Sequence, residues 1–325
     1  MTNMRIVNRV VTFMLSLLVI HTVYGAETWH LENGSQWKQV QDETQNSFLL
    51  AVGKIKEFIN NGEVKQVQQA YAELKEDFPE IRGPDFDAFI EAELLYAKGK
   101  FGKAVRAYDE FLNTYPESEL YQVALDRQFF IAQAYLAGQK RKVLKVFRIS
   151  GYSEGVKIMD GISDRAGNAP LAERANFAVA ESFEKRQKYE DAYQRWSQIL
   201  STWPTGQTGK NALLGLARCK YLAYNGPKYD VSDLVSAKTY YENFQTRYPE
   251  DAKELGIDGK VQNINELLAE KQFKIGQFYE KTNNYKSAKM YYRTIVEQWP
   301  TTTAAKISQT LIKKLNEQGV EEGND

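Results

Sequence analysis

The chain has 325 residues, 43% of them hydrophobic and 26% charged, with Lys+Arg and Asp+Glu both at 42. That is enough apolar material for a large core in about two domains or one long solenoid, and the even charge balance supplies no global field to recruit nucleic acid or an anionic membrane. One cysteine, Cys219, and two histidines, His21 and His30, exclude an intramolecular disulfide, a structural zinc site and a histidine relay for acid–base chemistry.

At the N-terminus, Arg5 and Arg9 precede an apolar run from Val10 to Ile20, and Val23-Tyr24-Gly25 stands before Ala26, which is the order of a secretory signal. The run is 11 residues long and holds Thr12 and Ser16, well short of the ~20 needed to span a bilayer. Residues 1–25 are therefore read as a cleaved signal peptide. Export to a bacterial periplasm suits a chain that relies on a large core instead of disulfides. In residues 26–40, Trp29 and Trp37 are expected to cap the first repeat, or one of them to be an exposed docking residue.

Further along, an aromatic-proline pair recurs: Phe78-Pro79, Tyr115-Pro116, Trp203-Pro204, Tyr248-Pro249 and Trp299-Pro300. Eight residues before each proline stands Tyr71, Tyr108, Trp196, Tyr241 or Tyr292. Twelve before stands Val67, Ala104, Ala192, Ala237 or Ala288, and five before stands Leu74, Phe111, Ile199, Phe244 or Ile295. Offsets of three and four put these on one helical stripe, which is predicted to be buried. Each proline ends its helix, because it lacks an N–H and biases its predecessor away from helical angles. The preceding helix of each hairpin reads small-x-x-large, turn, aromatic-x-x-Ala in three copies: Ala92-x-x-Leu95 with Gly99, Phe101 and Ala104; Ala180-x-x-Phe183 with Tyr189 and Ala192; Gly276-x-x-Tyr279 with Tyr285 and Ala288. Small residues let the two helices approach, and large ones fill the space between neighbours. The pattern resembles the tetratricopeptide repeat, which implies an all-α, right-handed superhelical solenoid of helix hairpins.

Pro170 supplies a sixth, degenerate hairpin end, so hairpins are expected to finish near 79, 116, 170, 204, 249 and 300. Gln139 to Gly151 lengthens the third hairpin, and Tyr224-Asn-Gly-Pro-Lys-Tyr-Asp230 is a turn-rich loop in the fifth. Residues 251–282 contain no proline and predict one long helix; residues 302–316 predict a helix covering the open end of the stack, and 318–325 a flexible tail. Without strand-like alternation of useful length or a low-complexity linker, residues 41–317 are predicted to form a single solenoid.

Two sets of residues are candidates for binding. Arg141, Lys145 and Arg148, in the run beginning Lys140-Arg141-Lys142, fall on one face if the segment is helical, and would meet an acidic partner or simply face solvent. Phe89, Phe177 and Phe273 recur 27 residues before their closing prolines. At that position they line a concave groove as apolar pockets for a peptide, or they belong to the core. Carboxylates such as Glu91 and Glu93, or Glu321 and Glu322, have no histidine or metal partner in the pattern, and no nucleotide loop, nucleophile elbow or zinc-protease motif occurs. The expectation is a non-enzymatic binding protein without cofactor, metal, nucleic acid or small-molecule substrate.

From Tyr229 to Thr303 the order of parts resembles the BamD (YfiO) family of outer-membrane barrel-assembly factors. A loop leads into Ala237-Lys-Thr-Tyr-Tyr-Glu-Asn-Phe-Gln-Thr-Arg-Tyr-Pro249; a long helix through Leu267-Leu-Ala-Glu-Lys-Gln-Phe-Lys-Ile-Gly-Gln-Phe-Tyr279 comes next, and a hairpin closes at Trp299-Pro300. The resemblance implies a periplasmic partner of the barrel insertase, whose C-terminal repeats contact the insertase's periplasmic domains and whose N-terminal repeats meet unfolded outer-membrane clients. Members of that family are lipidated on a cysteine at the signal cleavage site. No cysteine lies near Gly25, so the expected form is soluble in the periplasm or peripheral at the outer membrane. A rival is a Tol-Pal-linked coordinator of envelope constriction, which would carry an N-terminal coiled coil; residues 26–45 show no apolar heptads. A peptidoglycan-cutting enzyme would need a separate catalytic domain, for which the repeats leave no room.

Overall fold

A computed structural model describes residues 29–32, 36–39, 43–143 and 147–317; the expected signal peptide at 1–25 and the tail at 318–325 lie outside them. Packing divides the chain into two compact units that part between Lys100 and Phe101. Each unit buries its own apolar stripe.

The first unit holds an antiparallel ribbon of β1 (Trp29–Glu32) and β2 (Gln36–Gln39), with Leu31 opposite Trp37. Then come α1 (Glu43–Asn61), α2 (Val64–Asp77), a 3-10 turn (Pro79–Ile81) and α3 (Pro84–Ala97). Tyr71 of α2 meets Phe86 of α3 edge to face at 6.1 Å, and Phe78 meets Phe48 of α1 in the same way at 5.1 Å. Glu93 is completely buried, and the Tyr71 hydroxyl donates to it at 3.4 Å. A carboxylate taken out of water needs such a donor.

The second unit runs α4 (Phe101–Thr114), α5 (Tyr121–Leu136), β3 (Lys140–Val143), β4 (Phe147–Ser150), α6 (Tyr152–Ala166), α7 (Pro170–Lys185), α8 (Tyr189–Thr202), α9 (Gly206–Ala223), α10 (Ser232–Arg247), α11 (Pro249–Glu254), α12 (Ile257–Lys281), α13 (Tyr285–Gln298) and α14 (Thr303–Glu317). Each long helix packs on the next, making a helical repeat stack. The repeat template is its core. No residue at the template's three stripe positions, in either unit, is more than 7% exposed.

The closing aromatics show how the prolines act. Phe78, Trp203, Tyr248 and Trp299 have φ from −138° to −125° and ψ from 57° to 77°, yet each N–H still donates to the carbonyl four residues back. The helix's last hydrogen bond is kept while the following proline has already driven ψ out of the helical well. Pro170 behaves differently. It is the first residue of α7, and the helix before it ends at Ala166 with Gly167 at φ 58°. Proline suits that position because the first N–H of a helix has no partner to lose.

Hairpin turns repeat with equal regularity. Gly62, Gly99, Gly138, Gln187 and Asn283 all have positive φ. Each donates to the carbonyl three residues back, and the next residue donates to the carbonyl five back, for example Gln187 to Glu184 at 2.8 Å and Lys188 to Phe183 at 2.9 Å. This pair of bonds satisfies the last carbonyls of the helix and reverses the chain.

Local structure departs from expectation at two places. Within the insertion expected to lengthen the third hairpin, residues 140–143 and 147–150 pair as an antiparallel ribbon, β3 with β4, so strand structure exists where none is predicted. Residues 251–282 are not one helix: α11 stops at Glu254, and Gly256 in the left-handed region, φ 61°, turns the chain before α12. At the C-terminus α14 matches the predicted covering helix. Thr302 is fully buried; its hydroxyl donates to the Trp299 carbonyl at 2.7 Å and accepts from the Ala305 N–H at 3.2 Å, capping the helix.

Candidate protein-binding surface

The three phenylalanines face the seam between helices. Phe89 is buried at 4% exposure. Phe177 in α7 stands edge to face on Trp196 of α8 at 5.0 Å, and Phe273 in α12 lies against Tyr292 of α13 at 5.6 Å. Each is packed at the margin of the cluster containing its partner. The second helix's large ring needs cover from the first, and the recurrent phenylalanine supplies it. On the far side Gly215 of α9 approaches Trp196 so closely that a Cβ there would collide with the indole, and a Cβ on Gly276 would stand 2.6 Å from the Tyr292 ring. Of the two expected places, groove or core, these contacts agree with the core for Phe89, while Phe177 and Phe273 are half-buried against their partner rings.

The basic helical face is also corrected. Arg141 and Arg148 are on paired strands, with Arg141 opposite Ile149 and Arg148 opposite Lys142, so the spacing of four and three residues no longer aligns them. Lys145 lies outside the described residues.

Several polar groups inside the second unit pair with one another, although the Tyr224 hydroxyl, Asn265 Oδ1 and the Ser308 hydroxyl are buried without a hydrogen-bond partner. Glu184, at the end of α7, accepts from the Trp196 indole N–H at 2.5 Å and takes a two-pronged bond from Arg218 of α9 at 2.5 and 2.7 Å. That bond holds the Arg218 guanidinium above its ordinary pKa. Glu280 of α12 plays the same part for the Tyr292 hydroxyl at 2.7 Å, and burial with this bond raises the Tyr292 pKa. Arg195 of α8 joins Asp160 of α6 at 2.7 Å and Asn176 of α7 at 3.0 Å; Asn176 in turn donates to Ser163 at 2.7 Å. Such charge-assisted networks fix helix order and leave none of these carboxylates poised over a cavity. Cys219 is 1% exposed, and burial pushes its thiol up to about 12, so it is an inert part of the core.

Large side chains that remain in solvent are spread over several helices, and two of them are aromatics near the fifth and last hairpins. Tyr229 in the 224–231 loop and Phe278 near the end of α12 are each 60% exposed. Lys271 of α12 donates to the Tyr229 carbonyl at 2.7 Å and pins the loop to the helix. Lys274, paired with Glu270 at 2.7 Å, and Phe278 follow Lys271 by three and seven residues, on the same helical face. The result is a strip of two aromatics and two lysines about two helical turns long. A shallow cavity of about 500 Å3 lies between the Gln187–Asp191 turn and Leu222 and Ala223 at the end of α9. The strip escapes the repeat template because Phe278 is not a template position. Its offset of two from Gly276 places it opposite the buried face, a signal that helical phase alone would supply.

Residues 217–324 match the model of the family described as "YfiO: Outer membrane lipoprotein", and residues 89–118 match that of the tetratricopeptide repeat. Tyr229 to Thr303, the stretch whose order of parts resembles that family, lies within the first match. Both are models of protein-interaction scaffolds. Among solved structures, the apo form of RapI is similar at 13% identity, over 82% of this chain and 99% of that one, with a TM-score of 0.35. A tetratricopeptide repeat protein from Parabacteroides merdae is similar at 12% identity, over 82% and 98%, with a TM-score of 0.33. No curated protein sequence matches the chain.

Proposed function

From a C-terminal third that matches the YfiO family of outer membrane lipoproteins, we propose that the protein is a non-enzymatic periplasmic scaffold that takes part in assembling β-barrel proteins into the outer membrane. The observation that carries this reading is the family match over α9 to α14, the region that also bears the exposed Tyr229 and Phe278 strip. Aromatic anchors flanked by lysines suit a protein partner with apolar side chains and carboxylates. The partners in this reading are the periplasmic domains of the barrel insertase and unfolded outer-membrane clients, bound without chemistry.

No helix among the described residues is long and apolar enough to cross a membrane. The family's name implies a lipidated cysteine, but Cys219, the one cysteine of the sequence, is sealed in the core of α9 and cannot be the site of acylation. In the scaffold reading the protein is soluble in the periplasm or peripheral at the outer membrane.

Affinity purification of the tagged protein from envelope extracts is expected to recover the barrel insertase, and Phe278→Ala combined with Tyr229→Ala to reduce that recovery. Recovery of Tol-Pal components in its place, or of no envelope partner, would overturn the reading.

A further inference from the structure

The sequence contains three Asn-Gly pairs, Asn33-Gly34, Asn61-Gly62 and Asn225-Gly226, and the first lies outside the described residues. The other two share a dipeptide and differ in how its backbone is held. Asn61 is the last residue of α1, and the Gly62 N–H donates to the Ile59 carbonyl at 3.1 Å in the tight left-handed turn. An amide held in this way cannot swing onto the neighbouring side chain. Asn225 belongs to no helix or strand, and among the described residues no hydrogen bond engages the Gly226 N–H. Gly226 has φ 108°, a region that glycine enters without steric cost, and nothing lies within 4 Å of where a Cβ would stand.

Asn225 is also exposed, and it lines the shallow cavity at the end of α9. Its Nδ2 donates to the Ala223 carbonyl at 3.0 Å, an exposed contact for which water competes. Asn-Gly pairs are common in turns for conformational reasons alone, at the two central positions. Here the hydrogen-bonded turn runs from Gly226 to Tyr229, whose N–H donates to the Gly226 carbonyl at 3.0 Å, with Pro227 and Lys228 at its centre. Asn225 therefore stands before the turn and is not required by it. A carboxamide carbon and an uncommitted backbone nitrogen are neighbours in a loop that water reaches.

We propose that Asn225-Gly226 is a self-modifying site, at which Asn225 is converted to aspartate and isoaspartate without an enzyme, and that the conversion loosens the Tyr229 end of the binding strip. The Gly226 nitrogen gives its proton to a solvent base and attacks Cγ of Asn225. The new N–Cγ bond closes a cyclic imide while the Cγ–Nδ2 bond breaks, and Nδ2 takes a proton from water and leaves as ammonia. Water then opens the imide. Addition at Cγ breaks the new bond and gives aspartate; addition at the main-chain carbonyl breaks the original peptide bond and leaves the chain running through the side chain, one carbon longer. Either product adds a carboxylate to the loop. The longer backbone also shifts the Gly226 to Tyr229 turn, whose Tyr229 carbonyl accepts from Lys271 at 2.7 Å. The effect on binding rests on the scaffold reading; the chemistry does not.

The test is peptide mapping of the purified protein by mass spectrometry during incubation at neutral and mildly alkaline pH, with isoaspartate identified by enzymatic methylation. The asparagine form at 225 is expected to be lost, faster at the higher pH because the attacking nitrogen must give up its proton, while Asn61 persists. In urea that unfolds the chain, the two sites should convert at similar rates. Asn225→Gln, whose imide ring would be larger and slower to close, should persist unconverted with the parent's circular dichroism. Incubated parent protein should recover less insertase from envelope extracts than fresh protein, and incubated Asn225→Gln as much as fresh. Persistence of Asn225, equal loss at Asn61 in the folded protein, or a difference between the sites that remains in urea would overturn the proposal, as would undiminished recovery of insertase by the converted protein. Fresh protein that recovers no insertase yet converts at Asn225 would reject the assembly reading alone.

Discussion

Two hairpins of the second unit, α7–α8 and α12–α13, cross from helix to helix through the same tight left-handed turn, whereas α5–α6 and α9–α10 spend extra residues on a ribbon and a loop. All four bury a comparable stripe between their helices. The expansions leave the seam untouched because they enter where the chain is already leaving the stack. A turn at the edge of a repeat array can therefore be lengthened at small entropic cost while the packing that fixes the repeat stays constant. Tyr229 of the proposed binding strip lies in one expansion, where the template makes no demand.

The largest effect should come from the shared seam. Trp196→Ala removes a ring enclosed by Phe177, Gly215 and Glu184, and is expected to cost about 3–5 kcal/mol in urea unfolding. A loss under about 1 kcal/mol would mean the seam is not the stabilising element. Next, the two tight hairpins can be set against each other through their carboxylates. Glu184→Ala strands both an indole N–H and Arg218, whereas Glu280→Ala strands only the Tyr292 hydroxyl. A cost of about 1–3 kcal/mol is expected for the first and a smaller one for the second, after discounting for the half-exposed Arg218. Reversal of that order would show that the Arg218 bond contributes nothing.

The turns allow a finer comparison. Gln187 and Asn283 hold φ of 58° and 59° where the other turns use glycine. Gln187→Gly is expected to stabilise by up to about 1 kcal/mol, and Asn283→Gly by less, because asparagine tolerates the left-handed region and Asn284 already caps α13. Thermal unfolding of the two variants side by side would reveal the difference. The smallest effect concerns the expanded α5–α6 hairpin. Burial raises the Asp126 carboxyl pKa, against the opposing pull of Arg174 and Arg127. A carboxyl with a raised folded pKa favours the native state while protonated and withdraws that support as pH rises through the folded value. Asp126→Asn should therefore stabilise slightly at neutral pH and make no difference well below the ordinary carboxylate pKa. Equal effects at both pH values would mean that the shift is not electrostatic.

The repeat was legible because it is local and periodic. Tyr108 and Phe111 lie three residues apart on one helix, and Tyr115-Pro116 ends it wherever the helix happens to pack. The failures share a different cause. Arg141, Lys145 and Arg148 have helical spacing, but β3 is set by its pairing with β4, which no count along one segment detects. Phe177 looks the same in sequence whether it lines a groove or covers Trp196; only the neighbouring ring decides. Glu184 and Arg218, 34 residues apart, carry no local signal of their pairing.

The amino-acid sequence by itself determined the repeat: which residues form each buried stripe, where the helices before the five aromatic-proline pairs end, and which helix covers the C-terminal end. These depend on helical phase and on the backbone limits of proline, both properties of a few consecutive residues. The tertiary structure alone decided that the basic run pairs as a ribbon, that the recurrent phenylalanines are spent on aromatic seams, and that Tyr229 is pinned beside α12, two helical turns from Phe278. Those outcomes depend on which surfaces meet across tens of residues, where one new neighbour changes a side chain from ligand to core.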